Sequence, residues 1–493
     1  MTEIELKFQV PPERREAVAA AVAGRGGAAT VQRLQAAYFD TAGRDLAAAG
    51  VALRLRREGP RWVQTLKAGA GDAMTRLEHN VERAGRAAEL PPLDLALHEG
   101  TPAGARLAEV LAGVPDATLQ CQYRTDIRRT ARQLRVRGAT LELAFDSGRI
   151  IAGDRQLPVC ELEIELLRGS PAALLAAARP WVVRHGLWLD TRSKAERGTL
   201  LAAGASRSPA RKAAAVELDA DLGASAARRT VLRECLQQVS VNASQVASGD
   251  FGDEHVHQLR VGLRRLRTAL RLFGVAGESA ALAEASATLF RTLGTARDLA
   301  AVAAPLHEQL VQEMAAAGLT LAAPALPLGE AADPAESVRA AASQALLLDL
   351  IAATLPGDEP LAEAPAAEAL RRRLKRWHRG VARDAANFAA LDDEGRHRLR
   401  KHVKRLRYAV EFTQSLHGAK KVARYLRALS ALQERLGVLN DVMVAIDAFR
   451  GPAALDPAAG FALGWLAARR QTLVAGCRPA LERFARTPRP WKG

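Results

Sequence analysis

Aromatic residues make up only 4% of this 493-residue chain, and much of its 48% apolar content is alanine. That composition favours helices. Cysteine is as sparse. Cys121, Cys160, Cys235 and Cys477 lie far apart with no C-x-x-C pair, which argues against a zinc knot, a redox motif or a disulfide framework. They read instead as small buried apolar residues in a reducing compartment. Long hydrophobic runs are missing too. The longest uncharged stretch, Met314 to Gly329, is too short to span a bilayer and is broken by Pro324 and Pro327. The opening M-T-E-I-E-L-K-F has acids where an export signal needs positive charge and an apolar run, so a cytoplasmic location is expected. No G-x-x-x-x-G-K-[ST] occurs, which excludes a P-loop NTPase, and H-E-Q-L-V at His307 lacks the second histidine of a zinc-protease helix.

What the chain does have is positive charge. Lys and Arg number 70 against 54 Asp and Glu, a net charge of +16, so the natural partner is expected to be anionic. Nucleic acid, an anionic membrane and polyphosphate all meet that demand. At ~100–200 residues per domain the length allows two to four domains. Composition changes at Ala202 to Ala214, where A-A-G-A-S-R-S-P-A-R-K-A-A reads as a linker, so the first domain is placed at 1–204 and the second at 215–490. Residues 1–204 carry a net +5 and residues 205–493 a net +11. The excess is concentrated in the second part.

The first part alternates apolar and polar residues with period two in E-I-E-L-K-F-Q-V, A-L-R-L-R-R, W-V-Q-T-L-K, L-E-L-A-F-D and C-E-L-E-I-E-L. Each strand repeats one sign. Glu3, Glu5, Glu142, Asp146, Glu161, Glu163 and Glu165 are acidic, and Arg54, Arg56, Lys67, Arg124 and Arg128 are basic. A closed antiparallel barrel with its charges pointing inward explains that pattern better than a half-solvated sheet. Glu3, Glu5 and Lys7 share a face, and paired carboxylates suit a hard cation such as Mg²⁺ or Mn²⁺. Cations on facing strands would hold phosphates against that metal.

The second part reads as helix almost throughout and contains a repeat. H-Q-L-R-V-G-L-R-R-L-R-T-A-L-R-L-F (His257 to Phe273) aligns with H-R-L-R-K-H-V-K-R-L-R-Y-A-V-E-F (His397 to Phe412), and L-G-T-A-R-D at Leu293 matches L-G-V-L-N-D at Leu436. Two related helical bundles are expected, approximately 215–315 and 365–490. At ~100° per residue, His257, Arg260, Arg264, Arg267 and Arg271 form one stripe, apart from Leu259, Leu263, Leu266 and Leu270. His397, Arg400 or Lys401, Lys404 and Arg407 repeat it, flanked by Arg405 as Arg265 flanks the first. Such rows suit phosphate oxygens, and the scarcity of exposed aromatics disfavours base stacking without removing nucleic acid as a competitor.

The paired H-x-x-R-x-x-x-[RK]-R-x-R helices and paired L-G-x-x-x-D segments resemble the CHAD family over roughly residues 215–490. The resemblance implies two four-helix bundles that bind inorganic polyphosphate through His257, Arg260, Arg264, Arg265, Arg267, His397, Lys401, Lys404, Arg405 and Arg407. The second copy departs from the first at Glu411, opposite Arg271. Residues 1–202 are similar to the CYTH family, the triphosphate tunnel metalloenzymes, through E-I-E-L-K, R-L-R, the lone strand Lys67 and the late acidic strands. This implies an eight-stranded antiparallel tunnel barrel and hence an α+β multidomain chain. It also implies Glu3, Glu5 and Lys7 as catalytic residues; Lys7, Arg54, Arg56, Lys67, Arg124, Arg128 and Lys194 on substrate; and metal ligands from Glu3, Glu5, Asp146, Glu161, Glu163 and Glu165. Glu161 and Glu163 are favoured among the last three, and Glu78 is a weaker candidate.

The expected function is divalent-metal-dependent hydrolysis of inorganic triphosphate to diphosphate and phosphate. The helical part would bind polyphosphate and could associate the protein with polyphosphate granules. A non-catalytic polyphosphate scaffold, a thiamine triphosphatase and an adenylate cyclase stay open as alternatives.

Overall fold

The computed structural model describes residues 2–24, 29–69, 75–83, 89–114, 116–274, 277–326, 332–357 and 363–491. Strands β1 (Thr2–Gln9), β2 (Thr30–Asp40), β3 (Val51–Glu58), β4 (Arg61–Gly69), β5 (Thr75–Arg83), β6 (Gln120–Val136), β7 (Ala139–Ala152), β8 (Arg155–Gly169) and β9 (Trp188–Leu189) form one antiparallel sheet. Its order is β5-β4-β3-β2-β6-β7-β8-β1, and β1 then pairs with β5 through Thr2–Ile4 against Thr75–Leu77. The ring of eight is therefore closed, as the one-signed strands predict. The two-residue β9 adds to the free end of β1.

Closure follows from the alternation. Leu6, Phe8, Leu53, Leu66, Leu141, Leu143, Leu162 and Ile164 project outward yet are almost completely buried, because helices cover the wall. These are α1 (Arg15–Ala23), α2 (Asp45–Ala48), α3 (Pro102–Ala112) and α4 (Pro171–His185); α5 (Lys194–Ala202) instead packs on the inward face, against Tyr123. Thr101, Ser170 and Ser193 each cap a helix by accepting a hydrogen bond from the backbone N–H three residues on. Among the described residues no helix is long and apolar enough to cross a membrane.

The rest of the chain is helical: α6 (Ala224–Ala247), α7 (Asp253–Phe273), α8 (Glu278–Thr292), α9 (Thr295–Ala316), α10 (Pro334–Arg339), α11 (Ala341–Ala352), α12 (Ala366–Ala386), α13 (Asp393–Phe412), α14 (Ala419–Phe449), α15 (Pro457–Gly476) and α16 (Arg478–Arg486). The chain divides into two compact units that do not follow a single cut. One comprises residues 1–212, 236–259 and 334–355; the other comprises 213–235, 260–333 and 356–493. In the second, α14 packs against α13, α15 and α16 around Tyr425, Leu429, Leu432 and Phe449. Part of the uncharged Met314–Gly329 stretch and the Asp298 side chain of the first L-G-x-x-x-D copy lie outside the described residues.

Candidate active site and basic helical face

The strand registers put the charged residues on one wall. Glu5, Lys7 and Gln9 of β1 stand opposite Glu165, Glu163 and Glu161 of β8, and Glu142 and Asp146 of β7 stand opposite Glu165 and Glu161. Arg129 of β6 pairs with Asp146, Tyr38 of β2 with Arg54 of β3, and Lys67 of β4 with Glu78 of β5. Because side chains alternate, all of these face the barrel interior.

Three zones result. In the first, Lys67 Nζ donates to Glu3 Oε2 at 2.6 Å and contacts Glu78 Oε2 at 2.9 Å. Burial pushes the Glu3 carboxyl up to about 8 against the pull of Lys67, and the neighbouring Glu5 and Glu78 add to the rise. Burial opposes ionisation of Glu78 as well, but Lys67 and the hydrogen bonds it receives outweigh that and bring it down to about 2. Glu165 is raised to about 7 by burial, then by Glu142 and Glu5. This zone has more carboxylates than cations.

The second zone is neutralised. Asp146, Glu161 and Glu163 present oxygens within 4.8 Å of one another. Lys194 Nζ sits among them, 2.7 Å from Asp146 Oδ2, 2.8 Å from Glu163 Oε1 and bonded to Glu161. Arg129 donates two parallel bonds to Asp146, both 2.7 Å, and reaches Glu163, while Arg197 holds Glu161. Burial opposes the Lys194 charge, but the three carboxylates outweigh it and hold its pKa well above the usual lysine range. In the third zone Arg54 Nη1 donates to Tyr38 Oη at 3.2 Å and Arg56 pairs with Glu58, while burial and then Arg54 lower the Arg56 pKa.

Arg124 and Arg128 do not join this wall, which corrects the expectation for them. Both are exposed, whereas Tyr123, Thr125 and Ile127, with the opposite parity, are buried. One step along the strand reverses the face, and the inward arginine of the R-R pair is Arg129. Sequence reasoning passed over Arg129, Gln9, Asp190 and Arg197. The first two share parity with buried neighbours, a signal that was present, but helix-borne Arg197 offers no such pattern.

In the second compact unit, Arg260, Arg264 and Arg267 form a half-buried stripe on α7 and Arg271 is exposed at its end. Lys401 of α13 is exposed, and Lys404 is lowered to about 7 by burial, then by Arg264 and Arg400, so the two stripes approach one another. Arg260 and Arg264 lie over the Phe290 ring at 4.6 and 5.5 Å, and Arg405 lies over Trp377 at 4.6 Å. The repeated motifs meet in both copies. His397 Nδ1 lies 2.6 Å from Asn440 Oδ1 of L-G-V-L-N-D, and a Cβ on Gly294 of L-G-T-A-R-D would collide with the Arg260 guanidinium. Arg265 is a further correction. It is buried over Phe412 and bonded to Glu411 at 3.1 Å, so it holds the bundle rather than facing an anion. Glu411 also accepts from Arg407 at 2.8 Å, which explains its departure from the repeat. His257 is exposed on the portion of α7 belonging to the first unit.

Comparison with known proteins matches residues 1–199 to the CYTH domain and residues 230–450 to the CHAD domain. An inorganic triphosphatase of Haemophilus influenzae is 31% identical over 166 residues, 33% of this chain and 44% of that relative. The chain thus matches less than half the length of this curated relative. Among solved structures, the CHAD domain from the plant Ricinus communis is 30% identical, covering 55% of this chain and 96% of that one, with a TM-score of 0.44. A Hippeastrum protein named for adenylyl cyclase, whose structure is described as revealing a dominant triphosphatase activity, is 20% identical. It covers 42% of this chain and 98% of that one, with a TM-score of 0.29. Scores of this size add nothing about function. The closed ring of inward charges and the doubled basic helix agree with the two sequence matches, and the chain is a CYTH–CHAD protein, with a CYTH domain at 1–199 and a CHAD domain at 230–450.

Proposed function

We propose that the barrel hydrolyses inorganic triphosphate to diphosphate and phosphate with the help of a divalent cation, and that the helical region binds inorganic polyphosphate. One observation carries the enzymatic half: a group of inward carboxylates short of positive charge lies in the same closed ring as Arg54, Arg56 and Lys67. A pure anion-binding cavity gains nothing from such acids.

Glu3, Glu5 and Glu165 would hold Mg²⁺ or Mn²⁺. Their all-oxygen donor set suits a hard ion, and the raised pKa values of Glu3 and Glu165 mark where positive charge is missing. This favours Glu165 over Glu161 and Glu163, which Lys194, Arg129 and Arg197 already neutralise. When bound there, a divalent ion polarises phosphoryl oxygen and acidifies water. Arg54, Arg56 and Lys67 bind and orient the chain of phosphates and stabilise charge on the departing diphosphate. Arg129 and Lys194 keep Asp146 and Glu163 ionised and fixed, while inward Lys7, opposite Glu163, would reach substrate.

Phosphate release from triphosphate, ATP and thiamine triphosphate, each with and without Mg²⁺ or Mn²⁺, tests the reading. Metal-dependent release from triphosphate above the other two supports it. No release from any substrate, with polyphosphate still retained, makes the protein a scaffold.

A further inference from the structure

Lys194 reaches the interior carboxylates from the first turn of α5, so its position depends on the segment that leads into that helix, Trp188–Ser193. Each backbone N–H from 189 to 192 is fixed. Asp190 N–H donates to the Lys7 carbonyl at 2.9 Å, and Arg192 N–H donates to Asp190 Oδ1 at 2.9 Å. The other two are held by residues far along the chain. Leu189 N–H donates to Gln344 Oε1 at 2.8 Å, and Thr191 N–H donates to Ser244 Oγ at 2.9 Å, with the two hydroxyls 3.1 Å apart.

Both acceptors are themselves oriented. Gln344 Nε2 donates to the Val338 carbonyl at 2.8 Å, which fixes the amide so that its oxygen faces Leu189. Ser244 Oγ donates to the Ser240 carbonyl at 2.8 Å, leaving its lone pairs for Thr191. Leu189, Asp190, Gln344 and Ser244 are between 1 and 4% exposed, so water cannot replace a lost partner. Arg339 adds a clamp on the same segment, its guanidinium 4.7 Å above the Trp188 ring. All of these residues belong to the first compact unit, yet Ser244, Arg339 and Gln344 lie in the stretch that matches the CHAD domain.

We infer that Gln344 and Ser244 are positioning residues for the triphosphate site: they fix the 188–193 segment and thereby set where Lys194 meets Asp146, Glu161 and Glu163. Helices α6 and α11, although assigned by sequence to the polyphosphate-binding family, complete the barrel's site. The inference rests on the proposed triphosphatase reading, and its test separates the two.

Full-length Gln344→Leu, Ser244→Ala and Ser244→Thr proteins are assayed for kcat and KM with Mg²⁺ and triphosphate, and for triphosphate affinity by titration calorimetry. Gln344→Leu and Ser244→Ala should each raise KM and weaken calorimetric binding by about tenfold. Ser244→Thr, which keeps the hydroxyl, should restore both. A structural role alone would lower the folded fraction, and apparent kcat with it, at unchanged KM; that result overturns the inference. If a variant does not fold, Arg339→Ala, which removes the guanidinium above Trp188, carries the same comparison against the wild type. If the wild type binds triphosphate without cleaving it, the enzymatic reading fails, and the binding titration alone decides whether the clamp exists.

Discussion

Glu5 and Glu165 stand directly opposite each other between β1 and β8, and Glu142 stands opposite Glu165 on its other side. Burial and these two neighbours raise the Glu165 carboxyl to about 7, and a cation bridging the row would offset that repulsion. Glu165→Gln should therefore raise the Mg²⁺ concentration needed for half-maximal phosphate release by at least about tenfold. Glu5→Gln should lower kcat by about a hundredfold or more. Titrating activity against Mg²⁺ at saturating triphosphate checks both. Unchanged metal dependence in both variants would show that the ion sits elsewhere.

The raised Glu3 and Glu165 carboxyls also set a pH dependence. Unfolded, each releases its proton near 4.5; folded and without metal, they keep it to about 8 and about 7. Between those values the folded state holds more protons, so the stability of the metal-free protein falls as pH rises from about 4.5 to 8. Glu78 acts in the other direction only below about 4.5, where its folded value of about 2 matters. The melting temperature of metal-free protein should decline from pH 5.5 to 8, and added Mg²⁺ should raise it more at pH 8 than at pH 5.5. Glu3→Gln should flatten the decline.

The adjacent arginines 128 and 129 give a direct contrast. Arg129→Ala removes the bidentate partner of Asp146, which is 1% exposed, and should destabilise the barrel by about 3 kcal/mol. Arg128 is exposed on the outer face, and its alanine variant should stay within about 0.5 kcal/mol of the wild type. Chemical denaturation of the two variants followed by circular dichroism distinguishes them.

That pair also shows where sequence reasoning stops. Period-two alternation identifies the strands, and the runs of like charge, Glu161, Glu163 and Glu165 on β8 and Arg54 with Arg56 on β3, identify the inward wall. Parity with Tyr123 and Ile127 groups Arg129 apart from Arg128, but only the cross-strand pairing of Arg129 with Asp146 shows that this face points in. Nor does spacing show that Lys194 and Arg197, borne on a helix, bond to Glu161, one of three carboxylates that could together hold a metal ion. Arg265 is legible as part of a basic helix, but its burial against Phe412 depends on which face of α7 meets α13.

The repeated L-G motifs differ in the same way. A side chain at Gly294 would strike Arg260, whereas Gly437 has open space around its missing Cβ. Gly294→Ala should displace Arg260 and weaken polyphosphate binding by about threefold to tenfold, the scale of one ordinary hydrogen bond. Gly437→Ala, inside α14, should leave binding unchanged and stabilise the helix by up to about 1 kcal/mol. Polyphosphate titrations and melting curves of the two variants separate these outcomes.

Lys404 supplies a readout that does not depend on mutating the arginines. Burial and the neighbouring Arg264 and Arg400 bring its ammonium down to about 7, so at pH 8 the free protein holds it mostly neutral. A polyphosphate chain laid against it adds negative charge, favours the ammonium and draws a proton from solution. Binding at pH 8 should therefore take up close to one proton per site and weaken as pH rises from 7 to 9. Calorimetric titration in two buffers of different ionisation enthalpy measures that uptake. Lys404→Met should abolish the uptake and flatten the pH dependence while leaving the salt dependence contributed by Arg260, Arg264 and Arg267. Binding without proton uptake in the wild type would place the polyphosphate away from Lys404 and break the argument for paired stripes.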